Sequence, residues 1–111
     1  MFYLYNQNNS GGSFVVDNDV THFVIIEADS TFAADAKAQS IGIYFDGVAD
    51  DRDCECCGDR WYCAYPSDGT AVPMIYSDMP EDYDDMFASK GDVYCIIYYA
   101  NGEVRRLVKT S

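Results

Sequence analysis

The sequence predicts an α+β fold: one domain, a mostly antiparallel or mixed sheet of about five to seven strands, and one principal helix packed on a face of it. Three observations carry this. Ten tyrosines and six phenylalanines in 111 residues suit strands better than a helical bundle. Near the C-terminus, Asn101-Gly102 joins two extended runs, and this pair is the favoured signal for a tight hairpin turn. Only one stretch, about residues 30–41, reads as a well-capped helix.

Taken in order, residues 2–5 (Phe-Tyr-Leu-Tyr) form a first strand. A polar, glycine-rich loop over 6–12 leads to a short second strand over 13–16. That loop lacks the lysine and the spacing of a phosphate cradle, so it reads as a hairpin loop. Residues 21–28 alternate Phe23 and Ile25 with Val24 and Ile26, apolar on both faces, as a central strand is. His22 stands at its start with no carboxylate or cysteine beside it in sequence, and reads as a strand-end residue in a satisfied hydrogen bond.

Asp29 and Ser30 supply an N-cap, and Gly42 a C′ stop. Between them, alanines at 33, 34, 36 and 38, with Phe32 and Ile41, make a slim helix able to lie close to a sheet, with Asp35 early enough to suit the dipole. Residues 41–45 resume an extended run, which gives a β–α–β unit. Residues 60–65 predict a further strand with Trp61 and Cys63 on one face. Residues 72–76 contain Pro73 and so make at best an edge strand. In the C-terminal hairpin a two-residue turn would pair Tyr99 with Val104, Tyr98 with Arg105 and Cys95 with Val108. Cys95, Ile97, Tyr99, Val104 and Val108 would then face the core, with Tyr98–Arg105 and Tyr94–Lys109 as aromatic–cation pairs on the other side.

A chain of this length holds one core and buries roughly two thirds of its unfolded surface, so it folds without staples. No basic-then-apolar leader opens it, and no run approaches the ~18 apolar residues of a membrane span. The expectation is a soluble cytoplasmic protein with reduced thiols. Nineteen acids against seven bases give a net charge of −12. That surface repels phosphate backbones and anionic membranes and favours basic partners. An exposed edge strand is the route to self-association that the pattern offers.

Four of the five cysteines gather around residues 53–63. Cys54 and Cys57 form a single C-x-x-C-G knuckle that aims two thiolates at one ion, and the other half of the site would have to come from Cys56, Cys63, Cys95 or His22. A tetrahedral site needs four ligands and no second knuckle exists, so reduced, partly buried cysteines are the reading ahead of zinc. The neighbours Asp50, Asp51, Asp53, Glu55 and Asp59 raise thiol pKa values and so argue against a thiolate nucleophile. No nucleophile–base pair is visible elsewhere, and the expectation is a protein that is not an enzyme, with no catalytic residue assigned.

The segments 5–16 (YNQNNSGGSFVV), 41–47 (IGIYFDG) and 53–62 (DCECCGDRWY) resemble a family of short, uncharacterised proteins of tailed bacteriophages. The resemblance covers roughly the first 65 residues. It implies a setting, the host bacterial cytoplasm during infection, and no activity. In that setting the leading expectation is a small accessory protein, a non-enzymatic binder or inhibitor of a basic host or defence protein. Its two acidic stretches would carry the contact: Asp50, Asp51, Asp53, Glu55 and Asp59, then Asp78, Glu81, Asp82, Asp84 and Asp85. The alternatives are a small structural protein with a zinc knuckle at Cys54 and Cys57, and a small-ligand or nucleotide-sequestering protein, which a polar pocket near Trp61 or His22 would favour.

Overall fold

Four strands form one mixed sheet in the order β1-β2-β3-β4, with β1 Phe2–Asn6, β2 Phe23–Glu27, β3 Val93–Tyr98 and β4 Val104–Val108. The structure is a computed structural model, and the residues it describes are 1–8, 14–50, 53 and 58–110. β1 runs antiparallel to β2, β2 parallel to β3, and β3 antiparallel to β4. The apolar-on-both-sides pattern of β2 has the expected result: Val24, Ile25 and Ile26 are almost fully buried in the middle of the sheet. Each contributes roughly 1.5–3 kcal/mol by leaving water.

The two faces are covered by different parts of the crossover from β2 to β3. On one face lies helix α1 (Thr31–Ser40), with Ala34 and Ala38 fully buried against Val24, Ile26, Ile96 and Tyr98. Trp61 and Ile43 complete that layer. On the other face Ile75, Ala88 and Tyr83 pack over Phe23, Ile25, Cys95, Ile97 and Leu107. Of the described acidic residues, Asp53 and Asp59 lie next to the layer that holds Trp61, and Asp78 to Asp85 belong to the opposite layer.

The sheet is smaller than the sequence predicts, and the reasons are local. Residues 41–45 form no strand because they finish the helix. Gly42 takes φ +106 at C′, its N–H bonds Gln39 O at 3.3 Å, and Ile43 N–H bonds Ala38 O at 3.0 Å. This double bond is a Schellman closure, which draws Ile43 down into the core. The strand that returns parallel to β2 is β3. Residues 14–16 and 60–65 likewise form no strand, and only Ile75 and Asp78 of the 72–78 region form a bridge. Ser30 caps α1 as expected, with its Oγ accepting Ala33 N–H at 3.1 Å. Phe32, by contrast, lies on the solvent side of the helix.

The C-terminal hairpin forms, but one residue out of the expected register. Tyr99 N–H bonds Glu103 O and Gly102 N–H bonds Tyr99 O, so the loop holds three residues, with Gly102 at φ +94. Tyr98 then pairs with Val104, Ile97 with Arg105, Ile96 with Arg106 and Cys95 with Leu107. A one-residue slip exchanges the faces of a strand. Leu107 is buried accordingly, while Val104 and Val108 are exposed. The expected Tyr98–Arg105 pair is replaced by Lys37, which sits 5.3 Å over the Tyr98 ring, and Arg105 pairs with Glu81 at 2.7 Å.

Candidate functional site

The site is built where β1 ends and β2 begins. Gln7, just past β1, clamps the neighbouring chain: its Nε2 donates to Val15 O at 2.6 Å and Thr21 O at 2.8 Å, and its Oε1 accepts from Val15 N and from Arg60 Nη1. This clamp brings Phe14 alongside His22, and the two rings stack at 3.8 Å between centroids. From the far layer, Asp85 reaches in until its Oδ2 lies 2.6 Å from His22 Nδ1. Asp85 is only 3% exposed, and its other oxygen accepts Phe87 N–H at 2.9 Å. Lys109 closes the corner, donating to the carbonyl of Asp85 and pairing with Asp84 at 2.9 Å.

A carboxylate accepts, so Nδ1 donates in this pair, and in the neutral tautomer that does so the lone pair lies on Nε2. Nε2 has no hydrogen-bond partner, and no buried side-chain nitrogen or oxygen among the described residues lacks one. Nε2 is therefore an atom of a cavity wall that solvent reaches, although the His22 side chain as a whole is just 9% exposed. The cavity holds about 170 Å³. Its walls are aromatic, with Phe14, Phe23, Tyr76, Tyr83 and Phe87 contributing. Phe23, Tyr76 and Tyr83 touch one another edge-on or tilted at 5.0 to 6.0 Å.

Two features of the rim stand out from ordinary surface. Met86 is 83% and Phe87 69% exposed, side by side with Tyr76 at 59%. Large apolar side chains grouped in this way mark contact surface more than scattered ones do. Tyr76 also has φ +55, in the first central position of a tight turn closed by the Ile75–Asp78 bridge. A bulky residue there costs on the order of 1 kcal/mol, and the turn holds its ring over the cavity mouth.

The sequence-derived acidic residues have divided fates. Asp53 is structural: it accepts from Tyr44 Oη at 2.7 Å and Arg60 N at 2.8 Å, and Asp59 accepts Val48 N–H at 2.9 Å. Asp85 is the buried partner of His22. Asp50, Asp78, Glu81, Asp82 and Asp84 face solvent, with Glu81 and Asp84 engaged by Arg105 and Lys109. Asp51 and Glu55 lie outside the described residues. So do Cys54, Cys56 and Cys57 of the proposed knuckle; Cys63 is exposed, and Cys95 is buried in the layer opposite α1. Among the described residues no cluster of three histidine, cysteine or acidic side chains is placed to hold a metal ion. Burial pushes the Cys95 thiol up to about 12, so it stays a thiol at neutral pH.

The His22–Asp85 pair has no local signal in the sequence, since its members are 63 residues apart. Chemically, the arrangement presents a ring nitrogen held in place inside an aromatic recess with two carboxylates in its lining. Among the described residues, no serine, threonine, cysteine or lysine side chain lines it.

The fold and this recess define a small single-domain α+β protein with an aromatic-acidic pocket. The chain belongs to the family described as a domain of unknown function (DUF7296), which matches residues 1–111. No curated protein and no solved structure matches it. No helix among the described residues is long and apolar enough to cross a membrane.

Proposed function

We propose that the protein is a non-enzymatic binder that docks a basic protein on the face around the His22–Asp85 recess. The observation that carries this reading is the exposed group of Tyr76, Met86 and Phe87, bordered by the solvent-facing carboxylates of Asp78, Asp82 and Asp84. An apolar centre with a charged rim is how specific protein interfaces are built. Net charge of −12 makes a basic partner the complementary one and speeds its approach. The resemblance to tailed-bacteriophage proteins supplies a setting, the cytoplasm of an infected bacterium, where the partner would be a host or defence protein.

The test is capture from bacterial host lysate at low and high salt, with the native chain beside an Asp78→Lys/Asp82→Lys/Asp84→Lys variant. Asp85 is left native because its carboxylate is committed to His22. A basic protein retained by the native chain at low salt, and lost by the variant, is the expected result. Equal retention by both chains would remove the acidic rim from the account.

A further inference from the structure

We propose that the recess is an arginine pocket: it takes the guanidinium of one arginine side chain from the docked partner. This rests on the binder reading above and names the group that anchors it. Four properties of the recess select that chemistry. Nε2 of the nine-tenths buried His22 is an unpartnered polar atom of its wall and accepts a hydrogen bond when the ring is neutral, so a donor on the occupant satisfies it. The charged side chains that line it, Asp84 and Asp85, are both acidic and outnumber Lys109, which pairs with Asp84 from outside the lining, and this favours a cation over phosphate or carboxylate groups.

The walls are π faces and edges, and a planar, weakly hydrated guanidinium stacks on such rings while keeping several N–H groups free to donate. A lysine ammonium is more strongly hydrated and has no plane to stack. Size agrees. At about 170 Å³ the recess lies below the roughly 300 Å³ at which pockets for drug-sized ligands begin, and suits a side chain. The exposed Met86 and Phe87 then cover apolar residues flanking the arginine.

The reporter is built into the chain, because His22 is its single histidine. Its ring resonances are followed by NMR in the full chain at constant ionic strength. N-acetylarginine amide is titrated in one series and N-acetyllysine amide in another. The expected result is saturable movement of the His22 signals with the arginine probe, and roughly fivefold weaker binding of the lysine probe. Tyr76→Gly keeps the turn, removes one wall, and should weaken the arginine probe about threefold. No saturable movement, or equal response to the two probes, overturns the arginine pocket. A basic protein captured in a salt-sensitive way by a chain that fails this titration leaves the binder reading standing without it. A positive titration in a chain that captures no protein overturns the partner as the source of the arginine.

Discussion

His22 and Asp85 are 63 residues apart in the chain and 2.6 Å apart in the fold, joined Nδ1 to Oδ2 in a nearly closed space. The contact links the start of β2 to the far layer and leaves Nε2 as the recess's acceptor. It is at once a structural pin and the chemical centre of the site.

The pin is tested by Asp85→Ala. The change strips acceptors from His22 Nδ1–H and Phe87 N–H together. Leaving a buried donor without a partner should lower stability by about 2 kcal/mol or more in urea unfolding. A loss no larger than that of an ordinary surface substitution, about 0.5 kcal/mol, would show that the pair does not hold the layers together.

Two glycines separate space from backbone strain. A Cβ on Gly47 would stand 2.0 Å from Asp53 Oδ2, the atom that accepts Arg60 N–H, so Gly47→Ala must break the loop closure. At Gly42 a Cβ meets nothing, and only φ +106 opposes it. Thermal melts should rank Gly47→Ala as the costlier change, at about 2 kcal/mol against about 1 kcal/mol for Gly42→Ala. The reverse order would contradict the packing around Asp53.

The thiols differ by environment. Iodoacetamide at pH 8 should modify exposed Cys63 in the native chain and spare Cys95 until denaturant is added. Burial raises the Cys95 thiol from 9.0 to about 12, and burial with the Asp35 hydrogen bond raises the Tyr5 phenol as well. Both groups ionise more readily in the unfolded chain. Their contribution to stability is whole below pH 9 and is lost as pH rises toward 12. Urea midpoints should fall steadily over that window; a flat profile would mean that neither group is sealed from water.

Tyr76 combines strain with exposure. Tyr76→Gly relieves the φ of +55 and should leave the melting temperature unchanged or higher, while partner capture weakens. A variant that loses stability and keeps full capture would show that the ring serves packing alone.

Much of the fold was legible in the sequence because it is written in local chemistry. Ser30 and Gly42 mark both ends of α1, and the triple Val24-Ile25-Ile26 places β2 in the centre. Asn101-Gly102 locates the final turn, yet its loop length did not follow from the pair. Gly102 alone takes the left-handed conformation, as the last residue of a three-residue loop, and the register moves by one. The Ile43 run was misassigned because a helix closure and a strand start look alike as a few apolar residues after a glycine. The site was the least legible part. His22 has no acidic neighbour in sequence, and Asp85 reads as one more surface acid. Only the crossover that lays residues 75–88 over the sheet brings the two together.

The most direct test of the account is capture from host lysate by three chains: native, Met86→Ser/Phe87→Ser, and Phe32→Ser. Phe32 is as exposed as the other two but sits on α1, on the opposite layer. The account predicts that the Phe32→Ser chain retains the same salt-sensitive basic protein as the native chain, and that the Met86→Ser/Phe87→Ser chain loses it. Equal capture by all three, or its loss only in the Phe32→Ser chain, would contradict the assignment of the His22–Asp85 face as the docking surface.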